Sequence, residues 1–252
     1  MEAAVARPAA TVLLIRDGPT GVQVYLQRRP RRLGFAGGLW AFPGGRVDDA
    51  DADPASDAHW SGPSPAAWAR RLGVDPAVAR GCVVAACRET FEEAGVLLAQ
   101  PAPPAQDLAA ARRDLLSETR TLAQVLGDLD TRLDTARLRY WAWWVTPAGE
   151  PRRYDTRFFV AALPQAASVQ AHAGEVTGER WVGARERTDE LAMLPPTSYT
   201  LRDITAYDSV ADVLAAGRDR VVERVQPVLD DDAILLPWGD RYRLPPPTPE
   251  TR

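Results

Sequence analysis

The apolar residues of this chain change period several times along its length. Thr11 to Ile15 and Val22 to Gln27 are dense in aliphatic and β-branched residues, with Asp17-Gly18-Pro19 between them, so they predict a β-hairpin. Leu138 to Thr146 and Thr156 to Leu163, richer in aromatics, predict two further strands. Between these pairs the spacing becomes helical. Ser64-Pro65 predicts a short helix ending near Gly73. Asp75 suits an N-cap, Pro76 the first helical position and Gly95 a left-handed stop, which predicts a helix over 76–94, roughly 28 Å long at 1.5 Å per residue. Leu108, Leu115, Leu122, Leu126 and Leu129 predict a helical insertion over 104–130. Trp181-Val182 starts another element, and Ala184 to Ala192 reads as helix. Further helices follow Pro195-Pro196-Thr197, and Arg220 to Tyr242 has strand-like stretches around Asp230-Asp231-Asp232. Residues 48–63, rich in Asp, Ala, Pro and Ser, read as an exposed loop, and 49–74 as an excursion outside any catalytic centre.

Composition narrows the classes. A chain of 252 residues with 46% hydrophobic and 25% charged residues is ordinary for a soluble globular protein, and it reads as one domain over 1–252. No lysine occurs, so all 30 basic residues are arginine, and the net charge of −4 argues against a protein that coats nucleic acid. Cys82 and Cys87, close together in an apolar run, suit buried small hydrophobes better than a disulfide. With His59 and His172 as the only histidines, a structural zinc set is not expected. No run is long enough to span a membrane, and the apolar start, preceded by Glu2, is too short for a signal peptide. A cytoplasmic location is the expectation.

Chemistry concentrates on the long predicted helix. With Glu89 at zero and 100° per residue, Glu93 falls at about 40° and Glu92 at about 300°, so three carboxylates share a face. Val84, Cys87, Phe91 and Ala94 fall opposite and should enter the core. Cys82, Ala85 and Ala86, one turn earlier on the acidic face, are small and should leave room for a ligand. Like charges at this spacing repel, and a hard dication with oxygen ligands relieves the repulsion. A solvated acidic face is the alternative for a bare Glu-x-x-Glu-Glu. Arg88 before the cluster, Gly95 at its end and Pro43-Gly44-Gly45 upstream favour a site.

The string Arg88-Glu89-Thr90-Phe91-Glu92-Glu93-Ala94-Gly95-Val96 resembles the second half of the Nudix box, Gly-x5-Glu-x7-Arg-Glu-U-x-Glu-Glu-x-Gly-U, with U a bulky aliphatic. Phe42-Pro43-Gly44-Gly45 resembles the start of the same box. Arg88 lies 43 positions after Gly45 rather than 14, so about 29 residues interrupt it. Counting forward from Gly45 puts the mid-box position at Asp51, counting back from Arg88 puts it at Arg80, and Thr90 replaces the usual aliphatic. Such an interruption resembles the acyl-coenzyme A diphosphatase branch of the Nudix superfamily, as do Trp144-Val145-Thr146-Pro147, Tyr154 to Phe159 and Leu194-Pro195-Pro196-Thr197.

The resemblance implies an α/β (α+β) fold, a Nudix-type mixed β-sheet sandwiched between helices. It places an insertion at 49–74 within the box, a helical insertion at 104–130 and a C-terminal extension at 195–252. It implies a metal-dependent hydrolase of a diphosphate, using Mg²⁺ or Mn²⁺. Glu92, Glu93 and the Gly44 carbonyl would be metal ligands, Glu89 the general base or a further ligand, and Arg88 the group that orients it. A late-loop acid is expected at Glu175, with Glu179 the alternative, although either can be a surface residue. The implied partner is a small nucleotide-diphosphate substrate, with no nucleic acid or membrane, and oligomeric state is left open, a homodimer included. Arg28, Arg29, Arg31 and Arg32 are placed to meet the 3′-phosphate of coenzyme A or form a solvated basic loop. The coenzyme A signature wants an Arg four residues before Gly38, where this chain has Gly34. Trp141, Trp143 and Trp144 can pack in the core or stack on a base. Other substrates (NADH, ADP-ribose, a nucleoside triphosphate) and a non-catalytic nucleotide sensor are the rivals.

Overall fold

The computed structural model describes residues 4–32, 36–165, 167–172, 176–184, 186, 188–230 and 233–243. Strands β1 (Arg7–Gly18) and β2 (Gly21–Arg28) form the expected hairpin, and the short β3 (Trp40–Ala41) and β4 (Gly44–Arg46) pair back onto β2 and β1. Two 3-10 turns, Asp49–Ala52 and Pro54–His59, lead through β5 (Trp60–Ser61) to helices α1 (Pro65–Leu72) and α2 (Pro76–Ala94). Both helices open on proline and close on a left-handed glycine, Gly73 at φ 66° and Gly95 at φ 70°. Ser64 Oγ accepts the Ala67 N–H at 3.3 Å, whereas Asp75 is an N-cap by backbone geometry alone.

The chain continues through β6 (Ala99–Gln100), α3 (Ala105–Leu116), α4 (Leu122–Asp128), β7 (Arg132–Asp134), β8 (Arg139–Val145), β9 (Tyr154–Ala162) and β10 (Gly178–Gly183). After α5 (Pro195–Thr205) and α6 (Val210–Ala216) come β11 (Arg224–Val225), β12 (Val228–Asp230), β13 (Ala233–Leu235) and β14 (Arg241–Tyr242). The main sheet runs β10-β2-β1-β9-β8-β11, with β3 beside β2 and β4 beside β1. It is mixed, because β1/β9 and β8/β11 pair in parallel and the other pairs are antiparallel. Two three-stranded sheets, β12-β13-β14 and β5-β7-β6, flank it.

Alternation along the strands divides the core into two layers. Ala10, Val12 and Leu14 of β1 face α1 to α4, which contribute Trp68, Phe91, Leu115 and Leu126. Leu13 and Ile15 face α5 and α6, which contribute Leu201, Ile204 and Val213. The sheet is therefore covered by helices on both faces, as the resemblance implied. The insertion over 104–130 is two helices, broken by a corner in which Glu118 takes φ 54°. No helix among the described residues is long and apolar enough to cross a membrane.

Three expectations need correction. The 48–63 segment is not simply exposed: its turns bury Asp51 and Ser56, and Asp51 sits beside the acidic helix. Ala184 to Ala192 is not a helix; its described residues hold only the 3-10 turn Thr188–Glu190 after β10. Cys82, Ala85 and Ala86 leave no room for a ligand, because their small size lets α2 settle against the sheet, where they are buried. The tryptophans of β8 divide between the two faces of the sheet. A bulge between Tyr140 and Ala142 puts Trp141 and Trp144 on the α5 side and Trp143 on the other.

Candidate active site

The acidic helix reaches β4 through two glycines. A Cβ at Gly44 would lie 2.5 Å from Thr11 Oγ1 and 2.6 Å from the Ala10 carbonyl, so only glycine lets β4 cross there. A Cβ at Gly45 would lie 2.2 Å from Glu89 Oε1, so the missing side chain is the space the carboxylate occupies. Val12 N–H donates to the Pro43 carbonyl, and Thr11 stands opposite Gly44 in a pair that exchanges no hydrogen bonds. In that arrangement both polar groups of Gly44 turn away from β1. Its N–H donates to Glu93 Oε2 at 2.9 Å, and the buried Gln27 amide donates to the same oxygen.

Arg88 organises the rest. Its Nε and Nη2 donate to the two oxygens of Asp51, each at 2.9 Å. Its Nη1 donates to Glu89 Oε1 at 2.9 Å and Glu92 Oε2 at 2.8 Å, and Nη2 also reaches the Arg46 carbonyl. Burial works against the charged guanidinium, but hydrogen bonds from Asp51 and the charges of Glu89, Asp51 and Glu92 outweigh it and raise its pKa. Asp51 is only 2% exposed. It is thus the carboxylate that the forward count from Gly45 reaches, and its place beside Arg88 overturns the view of 49–74 as wholly outside the centre. Arg80, the backward count, instead holds Asp57 through bonds of 2.7 and 2.9 Å and fastens the second 3-10 turn.

The chemistry of Glu89 is altered by its neighbours. Burial first, and then the charges of Glu93 and Glu92, push its pKa up to about 8 against the pull of Arg88. The C-terminal end of α2 is pinned by Arg112, whose Nε and Nη2 donate to the Glu92 carbonyl at 2.9 and 2.6 Å. Burial pushes the Cys82 and Cys87 thiols up to about 11 and 12, so neither is poised as a nucleophile.

A cavity of about 1210 Å³ opens onto Arg88, Glu89, Glu92 and Glu93. Of the four arginines in the basic loop, only Arg29 lines it, and the buried Arg29 Nε has no hydrogen-bond partner. Arg28 donates to the Gly38 carbonyl at 3.3 Å, while Arg31 and Arg32 are exposed outside the cavity lining. Glu175 lies outside the described residues. Glu179 stands opposite Gln27 in the β2/β10 pair, on the α2 side of the sheet, and accepts the Tyr25 hydroxyl at 3.1 Å. Trp141 is core, its Nε1 donating to Asp203; Trp143 lies under Arg157 at 3.9 Å; Trp144 lines the cavity. Gln27 and Asp51 were not among the sequence candidates, although the forward count pointed to Asp51.

Among the described residues no three acidic, histidine or cysteine side chains are gathered into a ready metal cage. The donor chemistry still fits a hard dication: only oxygens, on one helical face, crowded enough to raise Glu89. Glu89, Glu92, Glu93 and the Gly44 carbonyl are the groups that could hold it.

Comparison with known proteins gives a consistent outcome. The sequence profile described as the NUDT19 Nudix domain matches residues 75–204, more than half of the chain. The acyl-coenzyme A diphosphatase NUDT19 of Homo sapiens is 28% identical, the match covering 94% of this chain and 76% of that protein. The Gallus gallus protein of the same name is also 28% identical, with 94% and 79% covered. A crystal structure of a Nudix hydrolase from Alicyclobacillus acidocaldarius superposes with a TM-score of 0.71 at 28% identity, covering 84% of this chain and 96% of that one.

Proposed function

The chain belongs to the NUDT19 Nudix domain family and is a Nudix hydrolase, and from that premise we propose that it cleaves the diphosphate of coenzyme A or an acyl-coenzyme A. The products would be 3′,5′-ADP and 4′-phosphopantetheine, acylated when the substrate is. The observation that carries this reading is a cavity that joins the three-carboxylate face to Arg29 on one wall and an apolar wall on another. At about 1210 Å³ it exceeds the roughly 300–1,000 Å³ typical of small-ligand pockets, as a substrate the size of coenzyme A requires. The names of the human and chicken relatives support the same substrate class.

The chemistry divides among the residues as follows. Glu92, Glu93 and the Gly44 carbonyl would hold a divalent cation, Mg²⁺ or Mn²⁺, which would supply neutralisation of the phosphate oxygens. Glu89 takes a proton from the attacking water as its oxygen approaches phosphorus, and the Arg88 guanidinium beside it favours the ionised form that can accept that proton. Arg88 holds Glu89 in one orientation, with Asp51 as its anchor outside the helix. Gln27 and the Gly44 N–H fix the Glu93 carboxylate. Arg29 meets a phosphate of the nucleotide half. We also take residues 1–252 as one domain whose 49–74 segment interrupts the box but supplies Asp51.

The test is a product assay with coenzyme A, acetyl-coenzyme A, NADH, ADP-ribose and nucleoside triphosphates, with Mg²⁺, with Mn²⁺ and with a chelator. Release of 3′,5′-ADP that stops with the chelator is expected. No 3′,5′-ADP from any coenzyme A substrate would reject the substrate assignment, and turnover undiminished by the chelator would reject the metal.

A further inference from the structure

Helix α2 ends against its own electrostatics. The C-terminal end of a helix carries partial negative charge and favours cations. The last turn of α2 instead holds Glu92 and Glu93 and no basic residue. Its terminal carbonyls are claimed by segments distant in the chain. The Gln170 N–H donates to the Ala94 carbonyl at 2.8 Å, and the His172 N–H to the Glu93 carbonyl at 3.2 Å. The Glu92 carbonyl takes a charged partner, accepting from Nε and Nη2 of Arg112 at 2.9 and 2.6 Å. A neighbouring helix thus supplies the cation that the end of α2 lacks.

The arginine stands where packing alone would place an apolar residue. Leu108, Ala111, Arg112 and Leu115 fall at i, i+3, i+4 and i+7, so Arg112 interrupts the stripe by which α3 meets the core. Partial burial of a guanidinium has a desolvation cost that a leucine would not, and the two bonds to the Glu92 carbonyl offset it. Nη1 lies 3.1 Å from the point a Cβ on Gly95 would occupy, so the left-handed glycine that ends α2 also admits the guanidinium. One turn further along α3, Leu116 lines the cavity, followed by Glu118 and Arg120 of the α3–α4 corner. The inserted pair therefore touches the catalytic helix at one point and walls the cavity at another.

We propose that Arg112 is a positioning residue for the metal centre. Through the Glu92 carbonyl it fixes the last turn of α2, and with that turn the Glu92 and Glu93 carboxylates that would hold the cation. The inserted helices α3 and α4 then serve the chemistry as well as enlarging the core. This deepens the hydrolytic reading given above and rests on its metal ligands, not on the identity of the substrate. Two effects of Arg112 oppose each other. As a positive charge near the site it repels a dication, but across a cavity open to water that repulsion is weak. As the anchor of the turn it holds the ligands in place, and loss of a group behind metal ligands typically costs about 10–100-fold in affinity or activity. Anchoring is the larger effect.

The test measures Mn²⁺ binding without substrate, by the electron paramagnetic resonance of the free ion, for wild type, Arg112→Met and Arg112→Lys. Circular dichroism establishes that each is folded. Arg112→Met keeps the length of the side chain but removes its donors and charge, and its Kd for Mn²⁺ is expected to rise about tenfold, the low end because Gln170 and His172 still hold the turn. Arg112→Lys can still donate to the carbonyl and should fall between the two. A rise of threefold or more in Arg112→Met upholds the proposal. A smaller rise, or tighter binding as charge removal alone would give, overturns it, because a purely structural arginine would leave the affinity of the folded protein unaltered. If Arg112→Met does not fold, Arg112→Lys decides by the same threefold limit. Since no substrate is present, failure to cleave coenzyme A leaves this test standing. A wild type that binds no Mn²⁺ would reject the metal reading and the proposal with it.

Discussion

Replacing Asp51 by alanine should both destabilise the protein and slow it. Asp51 is 2% exposed and gives both oxygens to Arg88, whose side chain is itself only 11% exposed. Removing one partner of a buried, hydrogen-bonded ion pair costs about 3–5 kcal/mol, because the remaining charge loses its compensation. Here Arg88 keeps Glu89 and Glu92, so the lower end, about 3 kcal/mol, is the expected loss. For a domain of this size that corresponds to a fall in Tm of roughly 6–12 °C. Asp51→Asn keeps the shape but turns one acceptor into a donor facing a cation, so it should lose about 1.5–3 kcal/mol.

Catalysis should suffer for a different reason. Freed from Asp51, Arg88 can follow Glu89 and Glu92 instead of fixing them, and misplacement of a catalytic group by about 1 Å costs on the order of 10²-fold in rate. Urea unfolding of wild type, Asp51→Ala, Arg88→Ala and the double variant forms a thermodynamic cycle. A coupling above about 1.5 kcal/mol is expected for two groups sharing charge-assisted bonds. A coupling below about 0.5 kcal/mol, the scatter for independent sites, would refute the idea that Asp51 anchors the acidic helix.

Glu93→Gln should lower kcat by at least about 10³-fold while leaving the unfolding midpoint within a few degrees, since the amide can still accept from Gly44; near-wild-type turnover at saturating Mg²⁺ would contradict its role. Gly45→Ala should fold but lose most activity, because its methyl would fall 2.2 Å from Glu89 Oε1 and displace the carboxylate; unchanged kcat would show that Glu89 can move without consequence. Arg29→Gln should raise KM for coenzyme A more than Arg31→Gln plus Arg32→Gln together, because only Arg29 lines the cavity; the reverse order would place the phosphate contact in the exposed loop.

The parts of this site that a reader of the sequence could see are the parts set by neighbours in the chain. Pro76 and Gly95 bound α2 as expected, and the carboxylate register follows from helical periodicity alone. What escaped depends on contacts between distant segments. Gln27 looks like any polar residue on a strand until β2 is placed under Glu93, 66 residues away. Ala85 and Ala86 look like room for a ligand until the sheet is known to press against them. The bulge at Trp141 carries no sequence mark, yet it decides which tryptophan reaches the cavity. The misread helix at 184–192 shows the opposite failure, a local pattern not sustained in the fold.

The interruption of the box shows why such a motif survives a long insertion. Gly45 to Asp51 keeps the standard spacing, so the whole excess lies between Asp51 and Arg88, now 37 residues apart. Lengthening that loop from the usual 8 to 37 residues costs only about 1.3 kcal/mol in closure entropy, since the cost grows with the logarithm of length. The insertion also carries its own stabilisation. Trp68 and Leu72 of α1 are buried against the sheet, with Trp68 edge-on to Phe159, and each burial is worth about 1.5–3 kcal/mol. Asp57 is tied to Arg80 of α2, and the Asp48 N–H donates to Asp51 Oδ2 at 2.9 Å. That last bond aims the aspartate at Arg88 from within a 3-10 turn, which makes up for a side chain one methylene shorter than the usual glutamate. The inserted segment is therefore a packed layer that returns the chain to α2, and the catalytic face keeps its anchor because Asp51, near the start of that segment, retains the forward spacing from Gly45 and still reaches Arg88.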